Sequence, residues 1–474
     1  MNVTAPLRTL ARSMPQAPAI IAADGRIVTY AALDRGLDGI ASRARTLGLR
    51  AGRIAGLAIG GPDEALALML ALGLARAGIA TANPAPAPPG LGTILTPDAA
   101  WRAAAEAASD AAACADQSAL LRVFTSSGTT GAIKHVPVSH ALMTRRVEAN
   151  ARAAGDGRAV RLVAVGLGIA WGFVAVLRTL WAGGTLVIGG AREAAAYIPR
   201  HGVTSLLIAP AGLRLLLEAL PPDAGPFATL AQVEIGGSRL PGPLRAAAAA
   251  RLSPHLCSSF GATEAGNVAF APFVALDGVP GAVGFIDPLT EVTTADATGA
   301  ILPAGQEGRL RIRSPLLADG YLRADGSVAP FRDGWFESGD IGTLLADGRL
   351  VIAGRDGEIA ADAGARIDAS AIEDALLTLP EIAEVAAFGL PDAAGRIQVW
   401  AAIVPAGPMP PAALAALCRA RLPATPPRFI MQMPALPCGA NGKVRRDVLI
   451  ATARSWQEAG SAAPSPPAGE SPMP

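Results

Sequence analysis

The stretch VFTSSGTTGAIKH, residues 123–135, carries the most specific chemistry in this sequence. Between Thr125 and Lys134 it places five hydroxyl side chains, two glycines and one lysine. Glycine lets backbone N–H groups turn towards an anion, hydroxyl groups donate further hydrogen bonds, and lysine supplies a positive charge. The stretch is not a Walker loop, because that motif requires a glycine directly before the lysine, and Ile133 stands there. The pattern therefore favours an anion-binding loop over an ordinary Ser/Gly/Thr turn.

Strand-like and helix-like segments alternate on both sides of this loop. Before it come GRIVTYAALDRGLDGIASRARTLGL (25–49), GRIAGLAIGG (52–61) and PDEALALMLALGLARAGI (62–79), and after it the alternation continues to about residue 275. Such alternation predicts parallel or mixed sheets covered by helices. From about residue 280 to 355, short strands separated by turns predict an antiparallel β subdomain.

The C-terminal part has a different pattern. A helix is predicted in DASAIEDALLTLP (368–380), a hairpin in EVAAFGLPDAAGRIQVWAAIVP (384–405) and another helix in PPAALAALCRARL (410–422). The prediction is an α/β protein with a large N-terminal domain over residues 1–355, a small mobile α+β domain over 356–455 and a disordered tail over 456–474.

Composition excludes several function classes. The formal charge of +1 gives no electrostatic reason to expect nucleic acid as a partner. The four cysteines lack metal-ligand spacing, which is typical of reduced thiols in a cytoplasmic protein. The first residues lack the apolar core of a signal peptide, and the longest apolar run, residues 162–177, is shorter than a spanning helix needs. We therefore expect a cytoplasmic enzyme without a membrane span.

Five motifs in order resemble those of the adenylate-forming superfamily, which includes acyl-CoA synthetases, peptide-synthetase adenylation domains and luciferases. TSSGTTGAIKH is similar to [ST]SGTTGxPK, and SSFGATEAG (258–266) is similar to YGxTE. GWFESGDIG (334–342) is similar to GWxxTGD, AGRDGEIAADAGARIDASAIE (353–373) to GRxxxxIxxxGxxIxPxEIE, and NGKVRR (441–446) to the closing GKxxR. Each motif alone is modest, but their common order indicates the family.

The resemblance implies an acid–thiol ligase that uses ATP and Mg²⁺ and makes an acyl-adenylate, which a thiol then captures. It implies catalytic roles for Lys134, Thr263, Glu264 and Lys443, with Glu264 as the Mg²⁺ ligand. The nucleotide would contact Ser126, Ser127, Gly128, Thr129, Thr130, Gly131, Gly236, Gly237, Ser238, Ser259, Phe260, Gly261, Asp340 and Arg355. Within this set, Asp340 would accept both ribose hydroxyls just before a predicted turn, and Phe260 would lie along the adenine.

The acid pocket is less well specified. The resemblance places Trp171, Gly172, Gly236 and Ala262 there. The segment 165–176 has no acidic residue of the kind that peptide-synthetase domains use to pair with an amino group, so we expect an apolar or small carboxylic acid. Many aryl and acyl ligases have a histidine where this chain has Ile169. At the expected hinge between the domains stands Gly357, which accepts wide backbone angles.

The chain has only two lysines among its 40 basic residues, and both lie in these motifs. Lysine provides a compact charge on a flexible stem, which suits a phosphate contact where arginine would not substitute freely. Lys134 and Lys443 are therefore predicted to serve one nucleotide from two domains.

The sequence leaves alternatives open for the thiol acceptor and for catalysis itself. Coenzyme A is the expected acceptor, and the runner-up is a ligase that stops at the adenylate or delivers the acyl group to the thiol of a phosphopantetheine carrier protein. A nucleotide-binding protein without catalysis would explain Ile133, His135 and Gly357, which depart from the family pattern. A P-loop ATPase is disfavoured because the GK[ST] sequence is missing.

Overall fold

The structure is a computed structural model. It describes residues 2–107, 116, 119–126, 133–154, 157–355, 360–362, 365–367, 369–392, 397–423, 426–438 and 444–458. The described chain groups into two compact units, one of Met1–Leu240, Ala246–Ser338 and Gly342–Ile352, and one of Pro241–Arg245, Gly339–Ile341 and Ala353–Pro474. The predicted domain bounds at 355 and 455 stay predictions.

The described residues in the first part of the chain contain five helices and seven strands, of which β3 to β7 form a five-stranded sheet. Its elements are α1 (Ala5–Ser13), β1 (Pro18–Ile21), β2 (Ile27–Thr29), α2 (Tyr30–Thr46), β3 (Ile54–Gly56), α3 (Glu64–Arg76), β4 (Ala80–Ala82), β5 (Leu91–Ile94), α4 (Ala99–Glu106), β6 (Leu120–Ser126), β7 (Lys134–Ser139) and α5 (His140–Ala154). The strand order is β5-β3-β4-β6-β7, with β5, β3, β4 and β6 parallel and β7 antiparallel to β6.

Side-chain caps explain where three of these helices begin. Thr29 accepts a hydrogen bond from the Ala32 N–H at the start of α2, while Asp63 and Asp98 do the same for the third N–H of α3 and α4. Each cap satisfies a backbone donor that the first helical turn leaves open. The apolar faces of α2, α3 and a later helix, α6 (Ala170–Trp181), then pack into one buried core.

The middle of the chain builds the parallel part of a larger sheet. It contains β8 (Val160–Val163), α6 (Ala170–Trp181), β9 (Thr185–Ile188), α7 (Ala194–His201), β10 (Ser205–Ile208), α8 (Pro210–Ala219), β11 (Gln232–Gly236), α9 (Gly242–Arg251), β12 (Leu256–Ala262) and β13 (Gly266–Pro272). Strands β1, β9, β8, β10, β11 and β12 are parallel neighbours in that order. Their burial on both faces explains their almost uninterrupted apolar sequences.

Five of the seven strands in the predicted antiparallel region continue this same sheet. They are β14 (Ala282–Ile286), β15 (Glu291–Ala295), β16 (Gly308–Arg313), β17 (Gly320–Leu322), β18 (Val328–Pro330), β19 (Phe336–Leu344) and β20 (Arg349–Arg355). The sheet has 13 strands in the order β15-β16-β19-β20-β14-β13-β12-β11-β10-β8-β9-β1-β2, while β17 and β18 form a separate pair. The hairpin of β12 and β13 reverses the chain direction and so joins the parallel and antiparallel parts.

The C-terminal elements are β21 (Ala360–Asp362), β22 (Ala365–Ile367), α10 (Ala369–Leu377), β23 (Ile382–Pro391), β24 (Ile397–Pro405), α11 (Pro411–Arg421), β25 (Phe429–Gln432) and α12 (Arg446–Glu458). Alternate residues of β23 face opposite sides of the β23-β24-β25 sheet. Val385 and Ala387 join one apolar cluster, whereas Ala386 and Phe388 join another with Leu449 of α12. Helix α12 extends three residues into the segment predicted as a tail, and residues 459–474 lie outside the described residues.

The predicted fold class is confirmed: mixed sheets with helices precede a small α+β unit. No helix in the described ranges is long and apolar enough to cross a membrane.

Candidate active site

The glycine–hydroxyl loop joins two antiparallel strands. Ser126 ends β6 and Lys134 begins β7, and the two residues are partners across the ladder. The pairing therefore holds the hydroxyl group and the only lysine of the loop side by side at its two ends. The predicted phosphate ligands Ser127, Gly128, Thr129, Thr130 and Gly131 lie outside the described residues, so their roles stay predictions.

Glu264 forms a hydrogen-bonded cluster with the loop's first hydroxyl. Its Oε1 accepts a 2.6 Å bond from Ser126 Oγ and a 3.0 Å bond from the Tyr321 hydroxyl. Lys134 Nζ lies 4.7 Å from the centroid of the Tyr321 ring, at cation–π distance. Burial, followed by the nearby Glu264 charge, raises the pKa of Tyr321, which keeps its hydroxyl protonated as a donor. We call Ser126, Lys134, Glu264 and Tyr321 the carboxylate cluster.

Arg146 of α5 fixes the turn that carries Glu264. Thr263 and Glu264 lie in the turn between β12 and β13, and Arg146 donates to their carbonyl oxygens at 3.0 and 2.6 Å. Its Nε donates to the carbonyl oxygen of Leu316 at 2.9 Å. Burial lowers the pKa of Arg146 to about 10, although the Glu264 charge opposes this, so the guanidinium is charged at neutral pH. The backbone of the turn is thus held from behind while its carboxylate points to Ser126.

Trp171 and the two glycines at the end of β11 form a wall beside Ser259. A Cβ at Gly236 would lie 2.4 Å from the Ser259 carbonyl oxygen and 3.2 Å from the Trp171 ring, so only glycine fits there. The next residue, Gly237, has φ +84°, a conformation that glycine adopts without strain. The structure therefore brings together Trp171, Gly236 and Ser259, which the sequence predicted around the acid and the nucleotide.

A buried ion pair orients Trp171. Its Nε1 donates to Glu234 Oε1 at 3.2 Å, and Glu234 Oε2 accepts from Arg178 Nη2 at 2.9 Å. Arg178 also donates to the Asn150 side chain. Glu234 and Arg178 are 1% and 3% exposed, which makes the pair costly to break and the indole orientation well defined.

The remaining predicted wall residues have mixed environments. Phe260 is half-buried against the apolar cluster of the antiparallel strands, and Ala262 ends β12 beside it. Gly261 and Ser238 are exposed. Gly172 is buried, and a Cβ there would lie 2.3 Å from a carbonyl oxygen of the loop before α6. Close packing accounts for Gly172, and its place in the acid pocket stays a prediction.

Asp340 and Arg355 form an ion pair in the second unit. Arg355 Nε lies 3.2 Å from Asp340 Oδ1, which leaves the other carboxylate oxygen outside this contact. The sequence suggested that Asp340 precedes a turn, and this was wrong, because β19 continues through it to Leu344. Lys443 and Gly357 lie outside the described residues, so the catalytic lysine and the hinge stay predictions.

Comparison with known proteins identifies the family. A family model described as AMP-binding enzyme matches residues 91–322, and one described as AMP-binding enzyme C-terminal domain matches residues 371–443. The chain belongs to the AMP-binding enzymes. The predicted resemblance to the adenylate-forming superfamily is therefore confirmed.

Several AMP-binding enzymes resemble this chain at about 30% identity. One is the "Salicyl-AMP ligase / salicyl-S-ArCP synthetase" of Mycobacterium tuberculosis, 30% identical over 71% of this chain and 62% of the relative. Another is the "2-hydroxy-7-methoxy-5-methyl-1-naphthoate--CoA ligase" of Streptomyces carzinostaticus, 31% identical over 63% of this chain and 55% of the relative. The chain thus spans about three fifths of the length of these relatives.

Solved structures show the same fold. "ATP bound MatB from Rhodopseudomonas palustris" aligns over 96% of this chain and 100% of its own, with a TM-score of 0.80 and 23% identity. The Bacillus subtilis "o-Succinylbenzoate CoA Synthetase (MenE)", solved with an acyl-adenylate, aligns over 94% and 97% with a TM-score of 0.79 and 21% identity. At such identities the likeness concerns the fold.

The carboxylate cluster fits the Mg²⁺ that AMP-binding enzymes use. Mg²⁺ takes oxygen ligands and is usually held by one or two carboxylates together with substrate phosphates and water. Glu264 uses Oε1 for Ser126 and Tyr321, and Oε2 accepts no hydrogen bond from the part of the chain that the structure describes. No group of three or more His, Cys, Asp or Glu occurs among the described residues, so a site made of protein ligands alone is not present there.

The motifs missed four residues that contact or orient the predicted site residues: Arg146, Arg178, Glu234 and Tyr321. None belongs to a quoted motif. Two of them had a usable signal, because Glu234 interrupts the apolar strand QVEIG and Arg178 follows a long apolar run. A charge at such a position indicates a buried pair.

Proposed function

We propose that this chain uses ATP to convert a carboxylic acid to an acyl-adenylate and then transfers the acyl group to the thiol of coenzyme A. The carboxylate cluster carries this proposal, since Glu264 is hydrogen-bonded to Ser126 at one end of the glycine–hydroxyl loop and Lys134 stands at the other end. Membership of the AMP-binding enzymes supports it, as do the relatives named for a salicyl-AMP ligase and a naphthoate–CoA ligase.

In the first step, a carboxylate oxygen of the acid attacks the α-phosphorus of ATP. The bond from the α-phosphorus to the oxygen bridging to the β-phosphate breaks, and pyrophosphate leaves. Lys134 and the loop hydroxyls offset the phosphate charge, while Thr263 and Lys443 act at the α-phosphate. Glu264 would hold Mg²⁺, which neutralises phosphate charge when bound. Asp340 would accept the ribose hydroxyls, with Arg355 keeping its carboxylate in place.

In the second step, the thiolate sulfur attacks the acyl carbonyl carbon. The bond between that carbon and the oxygen shared with the phosphate breaks, and AMP leaves with that oxygen. We propose that Gly357 acts as a hinge between the two steps. Movement of the small domain about this hinge would withdraw Lys443 from the nucleotide and admit the thiol. We also predict that the protein works in the cytoplasm.

Delivery to a carrier-protein thiol is the second candidate. The relatives named "salicyl-S-ArCP synthetase" and "Fatty acid--[acyl-carrier-protein] ligase ScoC" support this alternative. The two acceptors share the phosphopantetheine thiol, so the adenylation chemistry is the same for both.

Exchange of labelled pyrophosphate into ATP tests the first step. The panel should contain aliphatic, aryl and dicarboxylic acids, and we expect exchange that depends on one class of acid. Absence of exchange with every acid, together with measurable ATP binding, would favour the nucleotide-binding protein without catalysis. Coenzyme A and a phosphopantetheinylated carrier protein are then added separately, and the thioester formed identifies the acceptor.

Lys443→Ala tests the role of the second lysine. Adenylation should collapse, while thioester formation from supplied acyl-adenylate should survive, because Lys443 acts at the α-phosphate only in the first step. Arg445→Ala is the matched control, since Arg445 is exposed and pairs with Asp447 at 2.6 Å. Equal losses in both half-reactions would show that Lys443 is not the adenylation lysine.

A further inference from the structure

A small pocket opens beside the strand that leads into the glycine–hydroxyl loop. It is lined by Asn83, Arg122, Thr125, Gly168 and Ile169, among others. Asn83 follows β4 and Thr125 lies near the end of β6, so the pocket is at the carboxyl edge of two parallel strands. This edge is where open α/β sheets bind ligands.

Arg122 is a buried cation that has no carboxylate partner in the part of the chain that the structure describes. Arg122 is the third residue of β6 and is 1% exposed. Nη1 donates to Thr81 Oγ1 at 2.8 Å and Nε donates to the Gly168 carbonyl oxygen at 3.3 Å. Arg76 and Arg178, also buried, have carboxylates at 2.6 and 2.9 Å, whereas Arg122 has none at ion-pair distance within the described residues. Burying a charge without a counter-charge is costly unless a ligand supplies one.

The free side of Arg122 faces the pocket. Its Nη2 has no acceptor among the residues that the structure describes, and it lies 3.3 Å from where a Cβ at Gly168 would stand. Gly168 lines the pocket. Burial lowers the pKa of Arg122 to about 10, so its charge persists at neutral pH. The pocket wall therefore presents a charged donor.

A helix begins at the same place. Helix α6 starts at Ala170, and Ile169 before it makes no side-chain cap, so the first N–H groups lack that partner. Such a terminus carries a partial positive charge and favours an anion. With Arg122 on the strand side and α6 on the other, two independent features favour one negative group between them. Asn83 and Thr125 also line the pocket.

The pocket adjoins both parts of the proposed active site. Thr125 directly precedes Ser126, which bonds Glu264. Ile169 precedes α6, which carries Trp171 to Gly236. Segments that line the pocket therefore continue into the carboxylate cluster and into the Trp171 wall.

We propose that the pocket binds a second carboxylate on the acid substrate, which makes the preferred acid a short dicarboxylic acid. This inference rests on the proposed function, since it names the acid activated at the same site. The small pocket suits one group of a substrate and not a whole drug-sized ligand. Arg122 would form a charge-assisted hydrogen bond with the distal carboxylate and leave the other carboxylate for the α-phosphate.

Matched acid pairs test the proposal in pyrophosphate exchange: propionate with malonate, butyrate with succinate, and valerate with glutarate. The wild type should prefer the dicarboxylate of at least one pair by about 30- to 100-fold in kcat/KM. Arg122→Met should remove this preference and change the monocarboxylate by less than about threefold. Arg122→Lys keeps the charge and should recover part of the preference, and the exposed Arg53→Met is the control.

The outcomes separate the two claims. Equal loss for both members of a pair, or a higher KM for ATP with every acid, would mean that Arg122 serves the reacting carboxylate or a phosphate, and would overturn the inference alone. Wild-type preference for monocarboxylates would overturn it too, and this result does not depend on whether Arg122→Met folds. Absence of exchange with every acid would contradict the proposed function itself, and the inference would fall with it.

Discussion

Replacing Arg146 by lysine should separate the charge behind the Glu264 turn from the geometry that it imposes. The guanidinium makes three hydrogen bonds, to the carbonyl oxygens of Thr263, Glu264 and Leu316. A lysine ammonium keeps the positive charge but lacks the planar fork that reaches separated acceptors. We therefore expect Arg146→Lys to keep the electrostatic environment of Glu264 and to loosen its position.

The magnitude follows from the bonds that lysine cannot replace. The Glu264 carbonyl oxygen also accepts a 2.8 Å bond from the Ala318 N–H, so it keeps one partner. If the lysine ammonium replaces one of the three bonds, two carbonyl oxygens lose the arginine as a partner. When one of these two is the Glu264 oxygen, it still has the Ala318 N–H, so one carbonyl oxygen is left without a hydrogen bond. An unsatisfied buried acceptor costs about 1–3 kcal/mol, so the free energy of unfolding should fall by about 2 kcal/mol. A comparable loss in positioning would lower kcat/KM for adenylation by about 30-fold.

The assay is pyrophosphate exchange with Mg²⁺ varied, alongside denaturant unfolding. Arg145→Lys is the matched control, because the neighbouring side chain makes an exposed 3.0 Å bond to the Pro315 carbonyl oxygen and should cost less than about 1 kcal/mol. We expect Arg146→Lys to need more Mg²⁺ than the control. Exchange activity within about threefold of wild type in Arg146→Lys, or an equal loss in Arg145→Lys, would refute the reasoning.

Two further predictions concern single side chains. Tyr321→Phe removes one hydrogen bond to Glu264 but keeps the ring beside Lys134, so the rate of adenylation should fall by about 10-fold. In Tyr321→Leu the ring is lost as well, and the rate should fall further. Wild-type rates of pyrophosphate exchange in both variants would contradict this prediction. Burial lowers the pKa of His140 from 6.5 to about 4. As the pH drops, the imidazole is therefore protonated in the unfolded chain before it is protonated in the folded chain, and the free energy of unfolding falls. Between pH 7 and 5 the loss from His140 should be about 2 kcal/mol, and denaturant unfolding of His140→Asn should lack it; an equal pH dependence in wild type and variant would show otherwise.

The sequence predicts the fold class well because local patterns suffice for it. Alternating apolar segments separated by turns determine which residues form strands and helices, and the caps Thr29, Asp63 and Asp98 are local signals. What the pattern does not determine is strand pairing. Strands β14, β15, β16, β19 and β20 join the large sheet through the hairpin of β12 and β13. Asp340 lies inside a strand because pairing extends β19.

The site is predictable where motifs carry it and not where distant segments meet. Ser126 and Glu264 were predicted separately, but their hydrogen bond and the contribution of Tyr321 depend on packing between segments far apart in sequence. Arg146 supports Glu264 only through backbone carbonyl groups, which have no sequence signature. Arg122 had a signal, a charge inside the apolar strand LLRVF, whose meaning required the pocket beside it.

The most direct test of the central claim follows the oxygen that joins acid and nucleotide. An acid that supports pyrophosphate exchange is labelled with ¹⁸O in its carboxylate and incubated with the protein, ATP, Mg²⁺ and coenzyme A, and the products are analysed by mass spectrometry. Attack of the carboxylate on the α-phosphorus predicts that AMP carries an ¹⁸O atom and that pyrophosphate carries none. Label in inorganic phosphate, or AMP without label during thioester formation, would contradict the acyl-adenylate mechanism.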